Sequence, residues 1–299
     1  MIKGKVGVVG LGNMGGSIAR NFSKAGVPTM GWDTAPAART AIHETAGIEI
    51  APPGEIAATC NAIFFVVPAT PEIASCFDGE DGILARAAEG LVVYDLTTSH
   101  PVATRELAVR AAHHDIAYLD AGMSGGAAGA DAGTLTLMIG GDKAAFERTR
   151  SLLEPIADRT FYLGASGAGH TMKLIHNMVC HTVFLATCEG GRMAEAAGID
   201  LADMITVFNA SNARSYASEV RFPNHILSGT WDARSRVYNL RKDLSMAVGL
   251  AGALGTKAPL GTVTRDFLDV AIAQGMTDTD YSHLYERFDQ IVGQLSTNQ

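Results

Sequence analysis

Residues 5–21, KVGVVGLGNMGGSIARN, place a glycine-rich turn between an apolar run and a helical pattern. The run predicts a buried strand, and the pattern from about Asn13 predicts a helix. Gly10 allows a tight turn, Gly12 lets a pyrophosphate approach the backbone, and Gly15 lets the helix pack closely on the strand. Backbone N–H groups and the positive end of the helix dipole then bind the phosphates. We therefore predict a dinucleotide site at the six residues of this turn, Gly10, Leu11, Gly12, Asn13, Met14 and Gly15.

The second predicted strand, VPTMGWD, ends on an acidic residue, Asp33. It follows the glycine turn by about 20 residues, the spacing at which a carboxylate hydrogen-bonds the ribose hydroxyls of NAD. Because this carboxylate would repel the 2′-phosphate of NADP, we expect NAD to be preferred, with NADP as the alternative cofactor. Arg39 would be the residue to bind a 2′-phosphate, and we interpret it instead as a solvated helix residue.

Short β-branched runs alternate with helical patterns through the first half of the chain, and the runs are KVGVVG, VPTMGWD, AIFFVVP, LVVYDL and IAYLDA. Such alternation is typical of βαβ units on a parallel sheet. Residues 168–197 predict one long helix that ends before Gly198, and only helical patterns follow. The sequence therefore predicts an α/β protein, with an N-terminal Rossmann-type doubly wound sheet in residues 1–165. An all-helical domain for substrate binding and oligomerisation follows in residues 166–299, and a long interdomain helix joins the two.

Composition excludes several classes of function. The net charge of −8 argues against nucleic-acid binding, and no apolar run approaches the roughly 20 residues of a membrane helix. The histidines form no HxxxH or HExxH pattern, so we predict no metal site. The four cysteines lack CxxC spacing, which suggests buried, inert thiols in a cytoplasmic protein.

The long helix opens with GAGHTMKLIHNMV, residues 167–179, which carries an amine and an amide four residues apart. Residues i and i+4 share a helix face, so Lys173 and Asn177 are expected to point into one site. An amine can accept the proton of an alcohol as hydride leaves the carbon, and can return it during reduction. Burial or a second cation lowers the pKa of a lysine towards that task without a carboxylate partner.

Five motifs in the same order resemble those of the β-hydroxyacid dehydrogenase family, which includes 3-hydroxyisobutyrate dehydrogenase and tartronate semialdehyde reductase. They are VGVVGLGNMGGSIARN, DLTTSHP, DAGMSGGAAGADAGTLTLMIGG, GAGHTMKLIHN and KDLSMA. In that family the active site lies in a cleft between two domains joined by a long helix. The resemblance implies an NAD-dependent enzyme acting on a small β-hydroxy acid.

The resemblance also implies residue roles. Lys173 would be the general acid and base, Asn177 would orient the amine or the substrate hydroxyl, and Lys242 would contact the cofactor. The substrate carboxylate is expected at Ser124, Gly125 and Gly126, although AGM stands before Ser124 where the family usually has APV.

Further cofactor contacts are expected at the ends of two strands. They are Val67, Pro68 and Thr98, whereas Asp95 is expected to anchor its strand end. Among the arginines of the last hundred residues, Arg241 beside Lys242 is the first candidate to bind an anionic group.

Three alternatives remain open at this stage. They are an oxidative decarboxylase similar to 6-phosphogluconate dehydrogenase, an imine reductase, and a non-catalytic cofactor-binding module. The partner we expect besides the carboxylate-bearing substrate is a second copy of the chain, in a homodimer or homotetramer.

Overall fold

The fold starts from strands that are apolar on both faces, as the sequence patterns indicate. The computed structural model describes residues 4–295, and within them eight strands form one sheet. The strands are β1 Val6–Val9, β2 Thr29–Trp32, β3 Glu49–Ile50, β4 Ala62–Phe65, β5 Val92–Asp95, β6 Ala117–Ser124, β7 Leu135–Gly140 and β8 Ala157–Tyr162.

The sheet order is β3-β2-β1-β4-β5-β6-β7-β8, and all neighbours are parallel except β6 and β7. The order reverses direction between β1 and β4, which is where doubly wound sheets bind their ligands. Helices cover the sheet, so strand residues are buried on both sides, as with Val8 and Val9. The helices that follow these strands are α1 Asn13–Lys24, α2 Pro36–Ala46, α3 Pro53–Thr59, α4 Thr70–Phe77, α5 Ile83–Arg86, α6 Pro101–Ala112, α7 Gly126–Ala132 and α8 Lys143–Thr149.

The second half of the chain is helical, and α9 Ala168–Ala196 is its first and longest helix. The chain divides into two units between Lys173 and Leu174, inside α9, whereas the sequence patterns predict a boundary after residue 165. The second unit packs its own core around Phe184, Phe222 and Leu244. Its other elements are α10 Leu201–Asn209, a π-helix Ala217–Leu227, α11 Val237–Ala253, α12 Pro259–Ala273, a 3₁₀ turn Tyr281–Leu284 and α13 Phe288–Leu295.

The predicted fold class is confirmed, but the sequence patterns miss β3, β7 and β8. They also treat SGGAAGADAG as a glycine-rich connection, whereas Gly126–Ala132 forms α7. Tertiary packing overrides the low helix propensity of its glycines, because Nδ2 of Asn21 on α1 donates to the Ala130 carbonyl at 2.7 Å. Ser124 is consequently the last residue of β6 rather than a loop residue.

The prediction of buried thiols is correct for Cys60 and Cys188 and wrong for Cys76 and Cys180, which are half-buried. Burial raises the pKa of the Cys60 thiol to about 11, so Cys60 is a poor nucleophile at neutral pH. Over residues 4–295, none of the helices has the length and apolar character needed to cross a bilayer.

Candidate active site

The glycine turn after β1 is tightly packed at two of its three glycines and open at the third. Gly10 has φ +95°, and a Cβ on it would lie 2.2 Å from the Val66 carbonyl oxygen. A Cβ on Gly15 would lie 1.8 Å from the Gly10 carbonyl oxygen, whereas a Cβ on Gly12 would meet no protein atom within 4 Å. Packing therefore explains Gly10 and Gly15, whereas the space beside Gly12 is open, as the predicted pyrophosphate site requires.

Asp33 follows β2 and is held against this turn. Its Oδ2 accepts a hydrogen bond from the Leu11 N–H at 2.7 Å, and its Oδ1 accepts one from the Ala35 N–H at 2.8 Å. A carboxylate has about four lone-pair sites, so acceptor capacity remains for ribose hydroxyls.

Arg39 is not the freely solvated residue that the sequence suggests. Its Nη1 donates to the Asp33 carbonyl oxygen at 3.0 Å, and its guanidinium lies 4.6 Å from the centre of the Trp32 ring. A cation is therefore fixed beside the carboxylate expected to discriminate between NAD and NADP.

The other expected cofactor residues follow neighbouring strands at the same edge of the sheet. Val67 and Pro68 come after β4, which pairs with β1, and Val67 lies near Gly10, whose Cβ would approach the Val67 Cγ1 to 3.0 Å. Thr98 follows β5 and is half-buried between the buried Thr97 and Ser99. The carboxyl ends of these parallel strands thus bring the predicted cofactor residues of the first unit together.

The beginning of α9 is fixed by a buried carboxylate that no sequence motif indicates. Asp120, buried on β6, accepts hydrogen bonds from the Gly167 N–H at 2.7 Å and the His170 N–H at 2.9 Å. The negative charge satisfies two N–H groups at the positive end of the helix. A Cβ on Gly169 would lie 2.2 Å from the Met138 carbonyl oxygen, which explains the second glycine of the GxGxxxK motif.

His170 adds a second anchor, one turn before Lys173. Its ring is fully buried, with Nδ1 2.7 Å from Thr104 Oγ1 and Nε2 3.1 Å from the Asp95 carbonyl oxygen. Asp95 also does what the sequence predicts at its strand end, because its Oδ1 accepts from the Thr97 N–H at 2.9 Å and its Oδ2 from the Tyr118 hydroxyl at 2.6 Å. Burial raises the pKa of Asp95, and the nearby His170 opposes that rise.

Lys173 lies against the strand that carries the expected substrate residues. It is 9% exposed, and a Cβ on Gly122 would lie 2.5 Å from the Lys173 Cβ. Side chains alternate along a strand, so Asp120, Gly122 and Ser124 share the face of β6 that meets the start of α9. The glycine in AGM is therefore the residue that admits Lys173. Gly125 and Gly126 follow Ser124, have φ angles of +128° and +62°, and are exposed.

Asn177 follows Lys173 by one turn of α9 and has its own partner in the second unit. It is 7% exposed, and its Nδ2 donates to Asp243 Oδ2 at 2.6 Å. His176 Nδ1 lies 3.0 Å from Asn177 Oδ1. Because a carboxylate only accepts, Asp243 fixes which way the Asn177 amide faces. The sequence feature that could have identified Asp243 as a site residue is its place in the KDL motif.

Lys242 lies beside this pair, with Nζ 3.7 Å from Asp243 Oδ1. Arg241, the first candidate for binding an anion, already has a partner, because its Nε donates to Asp269 Oδ1 at 2.6 Å.

A glycine turn at the switch point of a doubly wound sheet, followed by a helical unit, defines the class of NAD(P)-binding oxidoreductases. Comparison with known proteins agrees. Residues 5–164 match the family model for the NAD-binding domain of 6-phosphogluconate dehydrogenase. Residues 167–288 match the model for NAD-binding of NADP-dependent 3-hydroxyisobutyrate dehydrogenase.

Individual relatives span nearly the whole chain. A probable mitochondrial 3-hydroxyisobutyrate dehydrogenase of Dictyostelium discoideum is 32% identical, over 94% of this chain and 89% of the relative. The NAD-dependent L-serine dehydrogenase of Pseudomonas aeruginosa is 28% identical, over 97% and 99%. A 3-hydroxyisobutyrate dehydrogenase of Mycobacterium tuberculosis, solved with L-serine, superposes with a TM-score of 0.87 at 28% identity, covering 95% of this chain and 99% of that one. The chain belongs to the β-hydroxyacid dehydrogenase family, and its cofactor is NAD(P).

Proposed function

We propose that the protein transfers hydride between NAD and the hydroxyl carbon of a small 3-hydroxy acid, with Lys173 as general acid and base. The observation that carries the proposal is the shared face of β6, where Gly122 leaves space for Lys173. Ser124 is two residues further along the strand and therefore lies on the same face. A proton-transfer group and a candidate carboxylate ligand thus lie side by side on rigid elements.

NAD, when bound, supplies the hydride acceptor in oxidation and, as NADH, the hydride donor in reduction. In oxidation the neutral Lys173 amine accepts the proton of the substrate hydroxyl while the C–H bond breaks, and a carbonyl remains. In reduction the Lys173 ammonium returns that proton to the new alkoxide. Asn177, oriented by Asp243, positions the hydroxyl or the amine by hydrogen bonding.

The names of the relatives support a substrate class. 3-Hydroxyisobutyrate, L-serine and 2-(hydroxymethyl)glutarate share the unit HOCH₂–CHR–COO⁻ and differ only at R. Ser124, with the backbone N–H groups of Gly125 and Gly126, would bind the constant carboxylate, and Lys173 would act at the constant CH₂OH group.

A substrate panel tests the proposal. Purified enzyme with NAD is given 3-hydroxyisobutyrate, L-serine, 3-hydroxypropionate and 2-(hydroxymethyl)glutarate, and nicotinamide absorbance is followed. We expect turnover of HOCH₂–CHR–COO⁻ compounds and none of the corresponding amides, which lack the carboxylate. Turnover of 6-phosphogluconate with release of CO₂, or of cyclic imines alone, would instead support the alternative activities.

A further inference from the structure

Arg221 differs from the other arginines of its region in what surrounds it. The guanidinium groups of Arg214, Arg236 and Arg241 each lie within ion-pairing distance of a carboxylate, on Glu219, Asp278 and Asp269. Arg221 instead lies between two tyrosine rings, with its Cζ 5.0 Å from the centre of the Tyr216 ring and 5.6 Å from that of Tyr281. The half-buried Arg221 side chain thus packs against ring faces, and a guanidinium stacked on a ring keeps its N–H donors available for hydrogen bonding.

Two acidic residues close to Arg221 or Tyr281 in the sequence are bound by other residues. Glu219, on the same π-helix, lies 3.6 Å from Arg214 Nε. Asp280, next to Tyr281, accepts from the Ser282 N–H at 3.0 Å and from the Ser282 hydroxyl at 2.7 Å. A cation held in place without an ion pair among residues 4–295 is suited to an anionic ligand, since an Arg fork matches a carboxylate in both shape and charge.

The backbone around Arg221 is unusual as well. Residues 217–227 form a π-helix, a conformation that is rare and frequently found at functional sites. In a π-helix the i→i+5 hydrogen bonds place residues that are five apart on successive turns. Tyr216, which precedes the first residue of this helix, and Arg221 have that spacing. The same segment in α-helical form would rotate Arg221 away from Tyr216.

Arg221 also lies near the part of α9 that continues from Asn177. Tyr281 packs edge-on against Phe184 of α9, with ring centres 5.0 Å apart. Burial raises the pKa of Tyr281, and the nearby Arg221 opposes that rise. Cys180 of α9 raises the same pKa further, so Cys180 is also a neighbour of Tyr281. Cys180 follows Asn177 by three residues, about 4.5 Å along the helix axis.

We infer that Arg221 binds an anionic group on the variable substituent of the substrate, so that the preferred substrate is a 3-hydroxy acid with a second carboxylate. This inference rests on the proposed function for the reacting end of the molecule. Arg221 acts as a specificity residue that binds the R group.

A matched pair of substrates isolates the second carboxylate. 2-(Hydroxymethyl)glutarate and 2-(hydroxymethyl)pentanoate differ only in a terminal carboxylate or methyl group. Because a charge-assisted hydrogen bond contributes up to about 100-fold, we expect the wild type to prefer the glutarate by about that factor in kcat/KM. Arg221→Gln should remove most of the preference and leave kcat/KM for the pentanoate within about twofold of wild type. Arg221→Lys should retain part of the preference.

Arg236→Gln, which breaks an exposed ion pair, is the matched control and should keep the full preference. Circular dichroism checks that the variants are folded.

Binding of unreactive analogues separates this inference from the proposed function. 2-Methylglutarate and 2-methylpentanoate lack the reacting hydroxyl and are titrated calorimetrically into the enzyme with NADH. Tighter binding of 2-methylglutarate that Arg221→Gln abolishes supports the Arg221 site, even if neither hydroxy acid is turned over and the proposed reaction fails. Equal use of both hydroxy acids, with no effect of Arg221→Gln on either, overturns the Arg221 site and leaves the proposed reaction standing.

Discussion

Gly122 lies directly against Lys173, and a Cβ at this position would come within 2.5 Å of the Lys173 Cβ. Gly122→Ala should therefore displace the start of α9 from β6 and destabilise the protein by about 1–3 kcal/mol, the usual cost of overpacking. It should also lower kcat, because the amine moves with the helix. Urea unfolding and steady-state kinetics measure the two effects.

Gly249→Ala is the control for this substitution. Gly249 lies inside α11, and no atom lies within 4 Å of a Cβ built on it, so the change should be neutral or stabilising by up to about 1 kcal/mol. A Gly122→Ala enzyme as stable and active as wild type would contradict the close packing.

Lys173→Ala should lower kcat by about 10²- to 10⁴-fold, the range of general acid–base catalysis. NAD affinity should stay within about twofold, because the expected phosphate and ribose ligands lie on the glycine turn and at Asp33. In the wild type, kcat for oxidation should rise with pH because the base must be neutral, and this limb should vanish in the variant. Lys257→Ala, at an exposed position, serves as the control. Retention of the pH limb in Lys173→Ala would assign the proton transfer to another group.

The preference for NAD is expected to depend on Asp33. Asp33→Ala removes the repulsion of a 2′-phosphate and leaves Arg39 nearby, so the ratio of kcat/KM for NAD to that for NADP should fall by at least about tenfold. Adding Arg39→Ala should reverse the gain with NADP. The measurement is kinetics with both cofactors at saturating substrate. A wild-type enzyme that prefers NADP would show that Arg39, rather than Asp33, determines the choice.

Asp95 should make stability depend on pH. Burial raises its pKa in the folded protein above the unfolded value near 3.8, so the folded state favours the protonated carboxyl. Its contribution is therefore fully present below about pH 3.8 and is lost as pH rises through the folded pKa, by about 1.4 kcal/mol per unit of difference. Asp95→Asn does not titrate, so wild type should lose stability relative to this variant as pH rises. Urea unfolding of both proteins from pH 4.5 to 8 gives the difference, and a constant difference would show that Asp95 does not titrate differently on folding.

We also propose that the helical unit forms a dimer or tetramer. Leu260 and Val263 on α12 are 71% and 66% exposed and, three residues apart, share one face, with Leu254 at 64% nearby in the chain. Apolar side chains this exposed are suited to burial in a symmetric interface. Leu260→Glu should shift the mass measured by light scattering towards the monomer, and Val109→Glu, 57% exposed on α6, should not. A wild-type monomer at micromolar concentration would rule the oligomer out.

The sequence by itself determined the features that depend on local spacing. The glycines at 10, 12 and 15 predict a strand–turn–helix unit, because they stand at the spacing of a dinucleotide-binding turn between an apolar run and a helical pattern. Strand and helix periodicities specified the α/β order and the long helix, and the Lys173–Asn177 spacing put both residues on one helix face. These features follow from neighbours in the chain, so no long-range contact is needed to predict them.

Tertiary structure alone decided which other side chains contact those residues. Asp120 and Gly122 become partners of α9 only because β6 passes beneath its first turn, about fifty residues away along the chain. Asp243 reaches Asn177 from α11, and Arg221 lies between Tyr216 and Tyr281 because a π-helix and a distant 3₁₀ turn pack in one unit. The 7-residue helix α7 forms against α1 despite its glycines. Each of these outcomes depends on packing between segments far apart in sequence, for which local periodicity carries no signal.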